Sequence, residues 1–425
     1  MTRPINADVP AAPAAPKAPK PRRKPIPGAL KAIAGLFILA IVFIVAAIVG
    51  GGGGSEHASE GPAPVAEAPS SSAETTSQTP EELGYPAFAT ANTTRVGGSD
   101  PAANAAGVAL ATYPSAEPAQ QPAAVTLVDA DDWRTAIAAS VLMAAPVQAP
   151  ILVSEADGVP DATVEALAAL DPQGSRVTGG AQIFAIGTAD APDDGRAKRV
   201  RGGGARGAAA IAALREKLVG SPPKHIVVAS AAEPAFAMPA AAWAARSGDP
   251  VLFTGRDKLN KQTGAALKAH PDTPVYVLGP SSAISSGVVR EIDKVARRVR
   301  RVSGEDPVTN AIALARYADG SFGWNINDPG HGFIVAGSEE PLEAAAAAPL
   351  SASGTWGPLL LTDSADTLPA ALRGYLLDVK PGYTTDPTRA FYNHVWVIGD
   401  QEAIDVNEQA EIDELAALAK IGGEE

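Results

Sequence analysis

Arg290, Lys294, Arg297, Arg298 and Arg301 recur at i, i+4, i+7, i+8 and i+11, a spacing that predicts one face of a helix. Five cations on one face can hold the phosphates or carboxylates of a polyanion, with the arginines making forked contacts. The same residues, paired with Glu291 and Asp293, also make an ordinary solvated face. Lys198, Arg199, Arg201 and Arg206 form a smaller basic group about a hundred residues earlier. Trp324 and Trp356 lie in the loop-like stretches FGWN and SGTWG. Aromatic faces there can stack on sugar rings, or plug a gap between modules.

Other chemistry is weaker. The acid pairs Asp131-Asp132 and Glu339-Glu340 follow apolar runs and could serve acid–base work or a hard cation. Adjacent side chains diverge, however, and acids at a helix start favour the macrodipole without further function. Gly202, Gly204 and Gly207 match G-x-G-x-x-G after a short strand and before an Ala-rich helix. The next strand ends in Val228-Ala229-Ser230, without the acid that would hold a ribose, so the glycines read as a turn. His57, His225, His270, His331 and His394 are scattered and there is no cysteine, which leaves no metal-ligand spacing and no disulfide. No Ser-His-Asp or Cys-His signature and no G-x-S-x-G elbow is visible. The expectation is no catalytic residue, no metal and no cofactor.

The elements that position these residues repeat. R-V-x-G stands at Arg95, Arg199 and Arg301, roughly a hundred residues apart. After each comes an apolar run (VTLVDA from Val125, HIVVAS from His225, GFIVAG from Gly332), then a proline-led run (Pro150, Pro250, Pro358). A third run ends on Gly187, Gly279 or Gly399. Helical stretches rich in alanine separate the runs. That order predicts parallel strands joined by crossover helices, with continuously apolar strands covered on both faces. The prolines fall at strand starts, where a missing N–H costs least. The fold class is α/β: three tandem α/β modules, related by a pseudo-threefold.

The repeats occupy 94–197, 198–299 and 300–418, with a short tail at 419–425. Ahead of them, Ala32–Val49 is an unbroken apolar run whose length, about 27 Å as a helix, suits a bilayer. The basic tail 1–31 (Arg3, Lys17, Lys20, Arg22, Arg23, Lys24 and Lys31 against Asp8) places the N-terminus in the cytoplasm. The run is too long for the core of a cleaved signal peptide, so 32–50 is read as an uncleaved anchor. Residues 51–93 are mostly Gly, Ser, Thr, Glu, Pro and Ala with few large apolar side chains, a stalk spanning roughly 35–40 Å. The chain carries a net charge of −13, and more than that outside the membrane because the basic tail stays inside. Such a field repels nucleic acid, and a polyanion would need the clustered cations.

The third unit, with RVSGEDP at Arg301, SEEPLEAAAAAPL at Ser338, GPLLLTD at Gly357, TLPAALRGYL at Thr367 and VWVIG at Val395, resembles the cell wall binding repeat 2 family. The likeness covers about residues 94–418. It implies three repeats with a Toprim-like fold and noncovalent attachment to an anionic secondary polymer, or a peptidoglycan-associated glycan, of the Gram-positive wall. The chain departs from the family in lacking its Asp-Ala pair. The corresponding stretches are Arg134-Thr135-Ala136, Pro234-Ala235-Phe236 and Pro341-Leu342-Glu343. Joined to the apolar run and the clustered cations, the resemblance predicts a membrane-anchored surface protein with Arg290, Lys294, Arg297, Arg298, Arg301, Trp324 and Trp356 as candidate polymer contacts. The alternative is an enzyme or substrate-binding protein for an envelope component, working in crevices at strand carboxyl ends.

Overall fold

The computed structural model describes residues 86–421, apart from 99, 116, 157, 193–194 and 353–356. The expected tail, membrane segment and most of the stalk lie outside the described residues. Among the described residues no helix is long and apolar enough to cross a membrane.

Strands β1 (Pro86–Ala89) and β2 (Thr93–Val96) open this region. Then come β3 (Val125–Asp129), β4 (Ile151–Ser154), β5 (Ile183–Ile186) and β6 (Ala197–Val200), followed by β7 (Ile226–Ser230), β8 (Val251–Thr254), β9 (Val275–Leu278) and β10 (Val299–Val302). The last are β11 (Gly332–Gly337), β12 (Leu359–Thr362), β13 (Gly382–Tyr383), β14 (His394–Ile398) and β15 (Ala419–Lys420). They form three main sheets of one design, in the orders β4-β3-β5-β6, β8-β7-β9-β10 and β12-β11-β14-β2-β1, with a small β13-β15 pair besides. Within the main sheets every pairing is parallel except that of β1 with β2.

The expected α/β class with parallel sheets is what the structure has, but sheets and sequence repeats are offset by one strand. The R-V-x-G segment of each repeat supplies the fourth strand of the preceding sheet: β6 pairs with β5 and β10 with β9. The first such segment, β2, has no preceding sheet and pairs instead with β14 near the far end of the chain. The Pro150, Pro250 and Pro358 carbonyls accept from Thr126, Val227 and Ile334, so each proline starts its strand with the only backbone group it can offer.

Among the described residues twelve α-helices connect the strands: α1 (Pro101–Thr112), α2 (Trp133–Ala139), α3 (Asp161–Leu170), α4 (Gly204–Val219), α5 (Pro234–Ala237), α6 (Pro239–Ser247), α7 (Lys261–Ala269), α8 (Ser286–Asp293), α9 (Pro307–Arg316), α10 (Pro341–Ala352), α11 (Ala370–Asp378) and α12 (Val406–Ala416). Alternation along the strands sorts the core. Val128, Val227, Ala229, Ile334 and Ala336 point into one shared cluster. Their neighbours Val125 and Leu127, Ile226 and Val228, and Phe333 and Val335 point into three private clusters, one per sheet. The shared cluster is filled by α2, α6 and α10, which contact one another. Their runs Ala136–Ala139, Ala240–Ala245 and Ala344–Ala348 are buried almost completely. Alanine fits there because three helices and three sheets converge, leaving no volume for longer side chains.

Candidate functional site

The seams between units are built from the repeated motifs. Gly187, Gly279 and Gly399 end the third strand of each sheet with φ of +64°, +113° and +104°, a region that favours glycine. Their N–H groups donate to Val200, Val302 and Val96 at 2.8, 2.9 and 3.0 Å. The arginine before each of these valines turns back onto the same corner. Arg199 donates to the Ala189 carbonyl at 2.7 Å, and Arg301 to those of Gly279 and Ile284. Arg95, only 2% exposed, donates to the Gly399, Asp400 and Ile404 carbonyls at 2.8, 2.6 and 2.6 Å, and through Nε to Gln409 at 2.8 Å. Burial pulls the Arg95 pKa down, opposed by Asp400, Asp405 and Glu408. The R-V-x-G motif is therefore a clasp between units, with Arg95 fastening the first to the third.

The helix starts where the family's Asp-Ala pair is absent also lie on seams. Asn104 accepts from the Gly98 N–H at 2.7 Å and donates to Glu343 at 2.8 Å. Asn310 repeats this, accepting from Gly304 at 3.3 Å and donating to the Phe236 carbonyl at 3.2 Å. At the remaining seam Ala208 replaces the asparagine, and Asp132 reaches across to the Gly204 N–H at 2.7 Å. Glu343 is pushed up to about 8 by burial, against the hydrogen bond from Asn104 and with help from Glu340, Asp100 and Asp400. At neutral pH it is mostly protonated.

The expected cationic helix face is not formed. Helix α8 stops at Asp293, and β10 begins at Val299, so 290–301 changes from helix to strand. Val299-Arg300-Arg301-Val302 pairs in parallel with β9 as the edge strand of its sheet, and that pairing overrides the helical spacing of the cations. Arg290, Lys294, Arg297 and Arg298 remain exposed on one outer region of the second unit. Arg297 pairs with Asp272 at 3.2 Å, both side chains largely in water. Arg301 is a clasp residue instead, its guanidinium turned to backbone carbonyls and its pKa lowered by burial.

Trp324 is half-buried and does not present a free face: its ring meets that of Trp243 edge-on at 5.6 Å. Trp356 lies outside the described residues. Asp132 caps α2, accepting from the Thr135 N–H at 3.3 Å, while Glu339 and Glu340 precede α10. Asp132 also fills the amide position of the glycine turn, where a pyrophosphate would have to sit, so that turn holds a carboxylate of its own chain. The clasp role of Arg95, Arg199 and Arg301 is the part that sequence reasoning alone does not supply. Their signal was the repetition of Arg-Val itself, which marks a shared structural task rather than a ligand.

Residues 202–289 match the model of the family described as cell wall binding domain 2 (CWB2). Over 123 residues the chain is 28% identical to N-acetylmuramoyl-L-alanine amidase LytC of Bacillus subtilis (strain 168), covering 29% of this chain and 24% of the amidase. Two solved structures share the fold. Cwp6 from Clostridium difficile superposes with a TM-score of 0.56 at 19% identity, over 76% of this chain and 47% of that one. Cwp8 from Clostridium difficile gives 0.55 at 19% identity, over 77% and 52%. The match spans about half of each solved neighbour and about a quarter of the amidase.

Proposed function

We infer that this chain, whose residues 202–289 match the cell wall binding domain 2 family, is a cell-wall-binding surface protein that holds an anionic wall polymer without a covalent bond. The observation that carries this reading is the family match on residues 202–289, within a three-sheet body of the same fold as two wall proteins. The three units are taken as Toprim-like modules around a pseudo-threefold whose axis runs among α2, α6 and α10. Arg290, Lys294, Arg297 and Arg298 are the proposed contacts, because they are exposed cations grouped on an otherwise acidic chain. Trp356 is proposed as a secondary contact at the polymer's sugar rings, a role the packed ring of Trp324 does not suit.

The apolar run Ala32–Val49 and its basic flank support a single-pass anchor with the repeats facing the wall. The chain then works as a tether, membrane at one end and wall polymer at the other. The test is co-sedimentation of the repeat region with purified walls, before and after stripping of secondary polymers, across a salt series. Binding that disappears on stripping and weakens with salt is the expected result. Equal retention on stripped walls would overturn the polymer assignment.

A further inference from the structure

A cavity of about 350 Å³ opens where the start of β7 and the end of α6 meet the loop after α9 of the third unit. Lys224, His225, Trp243, Arg246, Ser321 and Trp324 are among its lining residues. Inside it runs a directed chain of hydrogen bonds. The Asp249 carboxylate accepts the His225 main-chain N–H at 3.0 Å on one oxygen. Its other oxygen accepts Trp243 Nε1 at 3.0 Å and meets His225 Nδ1 at 2.9 Å. A carboxylate can only accept, so Nδ1 carries a hydrogen, and in the neutral imidazole Nε2 then keeps its lone pair. Ser321 Oγ lies 3.1 Å from that Nε2 and is exposed at the cavity. His225 and Asp249 are buried, and the imidazole is held edge-on against Tyr276 and Phe322 at 5.8 and 5.5 Å.

We propose that Ser321, His225 and Asp249 form an acyl-transfer site that hydrolyses a carboxylic ester. Nucleophile, base and orienting acid stand in the relationship that defines such a triad by geometry rather than by sequence order. Ser321 Oγ adds to the ester carbonyl carbon while His225 Nε2 takes its proton. The carbon–oxygen bond to the alcohol breaks, and His225 returns the proton to the leaving alkoxide. Water then adds to the acyl-serine through the same base, releasing the carboxylic acid and restoring the Ser321 hydroxyl. Among the described residues, the Gly323 and Trp324 main-chain N–H groups bond to no other protein group, and both residues line the cavity. A developing oxyanion at this site needs donors of that kind. Lys224 adds a cation to the cavity lining, which suits an ester neighbouring a phosphate or carboxylate. Placing that ester on an envelope glycan or polyol rests on the wall-binding reading; the site itself does not.

Nothing in this geometry lies at strand carboxyl ends, the expected place for an enzyme's crevice. His225 and Asp249 precede β7 and β8, at the amino ends, and the serine comes from the neighbouring unit. A purely structural His–Asp pair would need neither a hydroxyl on the distal nitrogen nor an open cavity beside it.

The test is labelling of the full chain with a fluorophosphonate probe, with the modified residue read by mass spectrometry. Ser321 is expected to be labelled at least tenfold faster than any other serine, with no labelling of that peptide in Ser321→Ala. Ser321 is exposed, so that variant should keep its thermal midpoint. His225→Gln and Asp249→Asn should each slow labelling at least tenfold. Asp249→Asn is informative because it leaves Ser321 and His225 present but favours the opposite tautomer; a merely structural Asp249 would lower the midpoint without changing the labelling rate of the folded fraction. Absent labelling at Ser321, or labelling unchanged in His225→Gln, overturns the proposal. A chain that is labelled but does not sediment with walls would sink the wall reading and leave this site standing.

Discussion

The side-chain amide of Asn104 donates to Oε1 of Glu343 at 2.8 Å, joining residues 239 positions apart in the chain. Asn104 belongs to the first unit and Glu343 to the third, so the bond helps close the last seam of the molecule. The other oxygen of Glu343 is buried without a hydrogen-bond partner. A neutral carboxyl tolerates that position and a charged one does not.

The pH dependence follows. The Glu343 carboxyl is raised by burial from 4.5 to about 8, and that of Glu408 from 4.5 to about 7. Both groups bind protons more tightly in the folded state, so their contribution is complete below 4.5 and is lost as pH rises through those folded values. The thermal midpoint should therefore fall between pH 5 and 8, apart from other titrations. Glu343→Gln keeps the shape and removes the ionisation. It should flatten that decline by a few degrees, on the scale of about 1–2 °C per kcal/mol for a body of this size. Identical slopes for the variant and the natural protein would show that Glu343 does not titrate across this range.

The clasp arginines separate burial from exposure. Arg95→Met leaves three carbonyls and Gln409 without their donor in a buried corner, and should cost about 3 kcal/mol by urea unfolding. Arg199 occupies the equivalent place but is exposed, and its loss should cost under about 1 kcal/mol. Equal costs would mean that the motif works through the valine and glycine alone.

Closure by β2 predicts where truncation is tolerated. Removing residues 1–84 leaves the third sheet whole. Removing 1–98 strips β2 and β1, baring the edge of β14 along Val395, Val397 and Ile398. The longer truncation should speed hydrogen exchange at least tenfold in β14 and promote association through the open edge. Unchanged exchange would show that β2 is dispensable.

The strands and their parallel order were legible because apolar runs led by proline and ended by glycine recur three times. The offset of sheets against repeats was not, since Arg-Val-x-Gly reads equally well as the opening of a unit or the close of the one before. Around 290–301 the cations obeyed a helical period, yet Val299 and Val302 flank a strand whose pairing with β9 decides the conformation. Ser321, His225 and Asp249 carried no signature because loops of two units bring them together, Ser321 lying 96 residues from His225.

The exposed cations give the most direct test of polymer capture. Arg297 and Arg298 stand in water, and the Arg297–Asp272 pair, with side chains 78% and 82% exposed, contributes under about 1 kcal/mol to stability. Reversing both charges should leave the thermal midpoint within about a degree. If these guanidinium groups meet wall phosphates, the double variant Arg297→Glu, Arg298→Glu loses two charge-assisted contacts and adds repulsion. Affinity for walls should then fall by about tenfold or more, each tenfold corresponding to about 1.4 kcal/mol. The salt dependence of what remains should flatten, because fewer ion contacts are left to screen. Wall affinity and salt slope both unchanged would remove this surface from the binding site, leaving the seams between units as the place to look.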